Sequence, residues 1–158
     1  MKVASVDIVF QEIPGEVTLA LNLSNCPCHC PGCHSPHLAE DIGEPLDEAL
    51  LDSLIAQYAG LITCVAFMGG DANPAEVARL AAHVKGLKTA WYSGRQYTPE
   101  NLNTLINPNT PSTPIPFTFI KFGPYVESLG GLKSPTTNQR LYKKTDTGWE
   151  DITHLFWK

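Results

Sequence analysis

Leu61-Ile62-Thr63-Cys64-Val65-Ala66-Phe67-Met68-Gly69-Gly70-Asp71 runs directly into Ala72-Asn73-Pro74 and a periodic apolar stretch. The segment Leu61 to Met68 is almost wholly apolar and stops at a glycine pair, which predicts a short strand covered on both faces and hence a parallel sheet. Asn73 is a helix N-cap and Pro74 suits the first helical position; Val77, Leu80, Ala81 and Val84 then recur on one face until Gly86 ends the helix. Downstream, Lys88 to Tyr92 reads as the next strand, and Thr98-Pro99 opens a short helix carrying Leu102, Leu105 and Ile106. Phe117 to Phe122 reads as a further strand, beyond a loop from Asn107 to Pro116 with four prolines. Upstream, Pro45 to Ala59 places Leu46, Leu50, Leu54 and Tyr58 at helical spacing, with Asp47 and Glu48 in the first turn where the helix dipole favours acids.

Residues 45–122 therefore alternate helix and strand, which predicts an α/β class with right-handed crossovers and a mostly parallel sheet. Val3 to Phe10 and Val17 to Ser24 are β-rich around the turn dipeptide Pro14-Gly15, and Gln139 to Lys143 with Trp149 to Ile152 form a candidate terminal hairpin around Asp146-Thr147-Gly148. With no internal repeat or linker, one domain is expected over residues 1–158, its last part being a hairpin and tail from about residue 134. A chain of 158 residues is too short for a full eightfold β/α barrel, which rarely fits below ~200 residues, so any barrel is partial and open.

Sixteen acids against eleven bases give a net charge of −5, the wrong sign for tracking a phosphate backbone, so no nucleic acid partner is expected. Lys2 and Asp7 interrupt the first apolar run before a signal-peptide core forms, and no stretch approaches the ~18 apolar residues of a membrane span. No membrane and a cytoplasmic location are the expectation.

Four of the five cysteines lie between Cys26 and Cys33, in Cys26-Pro27-Cys28-His29-Cys30-Pro31-Gly32-Cys33, directly after the second β-rich segment. Cys26, Cys30 and Cys33 have the spacing C-x3-C-x2-C. Three thiolates on one short loop can each hold one iron of a cubane cluster and leave the fourth iron open to substrate. An electron-transfer ferredoxin needs a fourth thiolate; Cys28 sits too close to its neighbours to serve well and Cys64 lies in a strand, where it reads as core filling. Structural zinc is a competing reading, since Cys28, Cys30, Cys33, His34 and His37 offer enough nitrogen and sulfur ligands. A reactive-thiol role for Cys28 has only the adjacent His29 to support it. By the rule that sites gather beyond the carboxyl ends of strands, the cysteine loop, Gly69-Gly70-Asp71 and Tyr92-Ser93-Gly94 are placed on one rim.

These residues resemble the radical S-adenosylmethionine superfamily, which combines C-x3-C-x2-C after the first strand with a glycine-glycine-acid motif at the end of the next. Within it, the run Cys26 to His34 with its Cys30-Pro31-Gly32-Cys33 core is similar to the activating proteins of anaerobic ribonucleoside-triphosphate reductase, as is Thr137-Asn138-Gln139 near the carboxyl end. The resemblance extends from Asp7 to about Tyr142. It implies a partial β/α barrel of the radical SAM type and a 4Fe-4S cluster on Cys26, Cys30 and Cys33. It also implies S-adenosylmethionine held at the open iron by its amino and carboxylate groups. Gly69, Gly70 and Asp71 would receive the amino group, Gly32 and His34 would flank the nucleoside, and Tyr92 and Ser93 would stand near ribose or carboxylate. No residue is implied as a conventional acid or base. An electron from a reduced flavodoxin-like or ferredoxin-like donor would cleave the sulfonium to methionine and a 5′-deoxyadenosyl radical, which takes a hydrogen from a glycine of the partner reductase. The chain departs from the wider superfamily in having Gly32, not an aromatic residue, before the last cysteine, and in separating Asp71 from Pro74 by two residues.

Two other functions compete: a radical enzyme acting on a small molecule, in the manner of a deazaguanine synthase, and a non-enzymatic iron-sulfur or zinc interaction module. Lys121, Lys133 and Arg140 are read as solvated surface bases within reach of a carboxylate or acidic partner, and the apolar tail Ile152 to Trp157 as packed on its own core.

Overall fold

The computed structural model describes residues 1–157. Eight strands form one sheet: β1 (Lys2–Val9), β2 (Thr18–Leu23), β3 (Glu44–Pro45), β4 (Cys64–Met68), β5 (Lys88–Tyr92), β6 (Phe119–Phe122), β7 (Arg140–Thr145) and β8 (Gly148–Asp151), in the order β3-β1-β2-β4-β5-β6-β7-β8. Strands β2, β4, β5 and β6 run parallel at the centre, while β1 pairs antiparallel with both β2 and β3, and β6-β7-β8 is an antiparallel meander. Among the described residues the α-helices are α1 (Glu48–Gln57), α2 (Pro74–His83) and the five-residue α3 (Leu102–Ile106).

This corrects the expected fold class. The expectation was an α/β partial barrel of the radical SAM type with a mostly parallel sheet; the protein is a strand-rich mixed sheet in which antiparallel pairings outnumber parallel ones. The alternation over 45–122 describes only the central strands. The flanking strands join the same sheet at both sides, β1 through the 10–17 connection, β7 through the 123–139 segment and β8 through a tight turn after β7, and they set its overall character.

The helices lie where their signals predict, except that the stretch expected to be helical from Pro45 to Ala59 is helical only over Glu48–Gln57, Pro45 pairing with Lys2 in β3. Asp47 caps α1 by accepting from the Leu50 N–H at 2.8 Å, and Asn73 caps α2 by accepting from the Glu76 N–H at 3.3 Å with Pro74 in the first turn. One face of the sheet meets these helices through large side chains: Leu19, Leu21, Leu23, Val65, Phe67, Trp91, Ile120 and Phe122, packed on Leu51, Val77, Leu80 and Leu102. Trp91 stacks on Phe117 at 5.8 Å and meets Phe122 edge-on at 6.2 Å. At about 1.5–3 kcal/mol per fully buried large side chain, this face supplies most of the apolar stabilisation. The opposite face is small at its centre, with Cys64, Ala66 and Ala90, and is covered by Ile13 from the β1–β2 connection, Leu132, Ile152 and Phe156. Cys64 is indeed core filling, and Trp157 fastens the tail by donating from Nε1 to the Leu132 carbonyl at 3.0 Å. Among the described residues no helix is long and apolar enough to cross a membrane.

Candidate iron-sulfur centre

The cysteine loop leaves β2 at its carboxyl end, where buried Ser24 is followed by Asn25 in the left-handed region at φ +60°. Asparagine tolerates that conformation better than most side chains, and here it turns the chain outward. The start of the loop is tied to the segment behind it: Asn25 N–H donates to the Glu40 carbonyl at 3.1 Å and Cys26 N–H to the Leu38 carbonyl at 2.9 Å. Asn25 Nδ2 also donates to Asp41, which pairs with Lys2 at 2.9 Å; these two contacts hold the Asp41 carboxyl below the usual range. Further along, Cys33 N–H closes a turn on the Cys30 carbonyl at 3.1 Å, and Ser35 N–H donates to Cys33 Sγ at 3.4 Å. Gly32, at φ +76°, lets the turn press against the loop after β6: a Cβ there would stand 3.3 Å from the Glu127 carboxyl and 3.4 Å from the Tyr125 ring. The His34 ring lies 5.0 Å from that of Tyr125.

A buried polar network stands beside this loop. Asp71 is 4% exposed and its carboxylate is fully engaged, accepting from Ser93 Oγ–H, from Gly94 N–H at 2.9 Å and from the Cys28 thiol at 3.6 Å. Lys121 is 8% exposed, correcting its reading as a surface base; its Nζ donates to the carbonyls of Ser93 at 3.2 Å and Gly123 at 2.8 Å and sits 5.9 Å from the Tyr92 ring centre. Burial pulls the Lys121 ammonium down to about 8, against the opposing pull of Asp71 and the nearby cysteines. Burial, then the Asp71 charge, pushes the Cys28 thiol up to about 12. Desolvation also raises the Tyr92 hydroxyl, which donates to the Glu12 carbonyl.

Of the residues singled out in the sequence, Asp71 and Ser93 come together in one hydrogen bond, and Tyr92 and His34 line one cavity of about 400 Å³ with Glu12, Gly131, Leu132, Lys133 and Phe156. Gly69 and Gly70 do end β4. The Gly69 carbonyl accepts from Trp91 Nε1–H at 2.7 Å, and Gly70 is demanded by packing, since a Cβ there would stand 2.5 Å from Val77 Cγ2. Cys26, Cys28 and Cys30 are half-buried, Cys33 is exposed, and none of the five cysteines is in a disulfide. The sequence reading missed the contact of Cys28 with Asp71, the burial of Lys121, and the part of Tyr125 and Glu127 in backing the loop. For Lys121 a signal existed: alternation along β6 puts it on the face of buried Phe119, not outside. Thr137-Asn138-Gln139 proves to be a brace, its side chains donating to the carbonyls of Gly130, Pro124 and Gly123 at 3.1, 3.0 and 3.4 Å.

Among the described residues no three His, Cys, Asp or Glu side chains are grouped to hold a single metal ion. A cubane asks something different: each thiolate takes its own iron, so the sulfurs stand around the cluster rather than converging on one point. Unpaired thiols on one solvent-reached loop, with a backbone N–H already directed at Cys33 Sγ, fit that demand.

A donor set of this kind defines an iron-sulfur protein. The family model described as a 4Fe-4S single cluster domain matches residues 14–107, more than half of the chain and including the whole cysteine loop, so the chain belongs to that family. No curated protein and no solved structure matches it.

Proposed function

We propose that the chain is a radical S-adenosylmethionine activating enzyme that installs a glycyl radical on an anaerobic ribonucleoside-triphosphate reductase, with Cys26, Cys30 and Cys33 as ligands of its 4Fe-4S cluster. The observation that carries this reading is the C-x3-C-x2-C loop standing at the carboxyl ends of the parallel strands beside a cavity that His34 and Tyr92 line. When bound, the cluster supplies one electron to the sulfonium of S-adenosylmethionine, giving methionine and a 5′-deoxyadenosyl radical for hydrogen abstraction. A reduced flavodoxin-like or ferredoxin-like protein is the proposed donor.

The chain's own residues bind and position. His34 and Tyr92 line the cavity at this rim; Gly32, Ser93 and the main chain of Gly69-Gly70 are the further proposed contacts for the nucleoside and methionine moieties. The Asp71 carboxylate already has three donors, which suits it to holding the 93–94 turn against the cysteine loop rather than to taking the amino group directly. Lys121, a cation held by two carbonyls at the same rim, supplies fixed positive charge there.

The test is 5′-deoxyadenosine formation by anaerobically reconstituted protein given reductant and S-adenosylmethionine. Wild type forms it, and Cys26→Ala, Cys30→Ala and Cys33→Ala each abolish it while Cys64→Ala does not. A loaded cluster that yields no product with several reductants contradicts the reading in favour of an electron carrier; consumption of a small substrate without a protein partner favours a small-molecule radical enzyme.

A further inference from the structure

We propose that Cys28 is a positioning residue: its thiol stays out of the cluster and donates a hydrogen bond to Asp71, latching the middle of the cysteine loop to the ends of β4 and β5. The proposal rests on the reading of Cys26, Cys30 and Cys33 as the cluster ligands.

Three observations converge on it. The Cys28 sulfur lies 3.6 Å from Asp71 Oδ2, the same oxygen that Gly94 N–H reaches at 2.9 Å, while Ser93 Oγ–H holds Oδ1. Asp71 is thus held by the 93–94 turn independently of the loop, and a buried, fixed carboxylate is a strong acceptor. Second, Gly94 makes room for the sulfur: a Cβ at that position would stand 2.9 Å from Cys28 Sγ and 3.3 Å from its Cβ, closer than side chains pack. Third, the loop needs holding between its cluster ligands. His29 is in the left-handed region at φ +46°, a conformation that a non-glycine residue keeps only when its surroundings impose it. Main-chain bonds secure the loop at Cys26 and again at the Cys30–Cys33 turn. Between them, among the described residues, the Cys28 thiol makes the hydrogen bond that reaches the sheet. Releasing it frees the peptide that orients Cys30.

The experiment combines infrared spectroscopy of the cluster-loaded protein with the rate at which a chelator removes its iron. In loaded wild type only Cys28 and Cys64 retain S–H groups, so the spectrum of wild type minus that of Cys28→Ala isolates the Cys28 stretch. The expected band is present, shifted to low frequency by a charged acceptor, and moves toward the free-thiol position in Asp71→Asn. Cys28→Ala keeps a full complement of iron but releases it about tenfold faster, the scale of one lost hydrogen bond to a charged group. Cys28→Ser, whose hydroxyl can donate in the same place, restores the wild-type rate, and Gly94→Ala, which displaces the sulfur, releases iron as fast as Cys28→Ala. Absence of the Cys28 band together with iron loss in Cys28→Ala makes Cys28 a ligand and overturns the proposal. A Cys28 band at the free-thiol position that ignores Asp71→Asn overturns it as well. Wild type that takes up no iron and sulfide removes the ligand reading itself, an outcome distinct from the other two.

Discussion

The two ends of the parallel strands each bury a carboxylate and bring a lysine to it, yet the pairs are built differently. At the amino end, Glu16 is 8% exposed and bonds directly to Lys88 Nζ and to the Thr63 hydroxyl, while Lys88 remains half in water. That pair neutralises itself locally and ties the starts of β4 and β5 to the β1–β2 connection. At the carboxyl end, Asp71 and Lys121 are both buried but spend their hydrogen bonds elsewhere: Asp71 on Ser93, Gly94 and Cys28, Lys121 on the carbonyls of Ser93 and Gly123. Lys121 forms no ion pair among the described residues. A self-satisfied pair is what stability alone asks for; a buried cation left without an ion pair beside a loop of thiols costs stability, and burial of that kind is more common at functional sites than elsewhere.

The largest way to break the comparison is at the cysteines, where loss of any one of Cys26, Cys30 or Cys33 is expected to remove activity completely. Next come the two carboxylates. Glu16→Gln is expected to cost about 1–3 kcal/mol in urea unfolding while leaving iron content and cluster absorption as in wild type. Asp71→Asn is expected to cost a similar amount and, unlike Glu16→Gln, to alter the cluster spectrum; identical spectra for the two variants would erase the distinction between the ends.

Lys121 gives a pH test. Its native ammonium titrates near 8, below the ordinary 10.5, so between those values the unfolded chain binds more protons than the folded one and stability rises with pH. Below about 8 the full cost of burying the charge is present. Lys121→Met is therefore expected to gain most over wild type at neutral pH, the advantage shrinking as pH climbs from 8 toward 10.5 in paired denaturation curves. A difference flat across that window contradicts a depressed lysine. The smallest effect is expected far from both ends. Arg79 bridges Glu76 and Glu48 between α2 and α1 but is half-exposed, so Arg79→Ala should shift the urea midpoint only slightly and leave the cluster spectrum unchanged.

How much of this was legible in the sequence varies by element. The apolar run ending at Gly69-Gly70, the Asn73-Pro74 cap and the cysteine spacing are local signals, and each led to the right element or cofactor class. The sheet's character was not local. Val3 to Phe10 and Gln139 to Lys143 read correctly as strands, but only pairing across long separations shows that β1 and β7 flank the parallel centre and make the sheet mixed. The site followed the same division. Spacing singled out the cysteine loop that the 4Fe-4S family model spans, while the Cys28–Asp71 contact joins residues 43 positions apart and leaves no mark in either segment. Lys121 was misread because a single lysine in an apolar strand was weighed by type and not by the face it occupies.

The most direct test of the central claim, an open cluster at the carboxyl end of the strands, is the electron paramagnetic resonance spectrum of the reduced, cluster-loaded protein with and without S-adenosylmethionine. The account predicts a signal whose g values shift when S-adenosylmethionine is added, because its amino and carboxylate groups reach an iron that no protein ligand covers. A cluster signal that is the same with and without S-adenosylmethionine at saturating concentration would contradict it and leave a closed, electron-carrying centre.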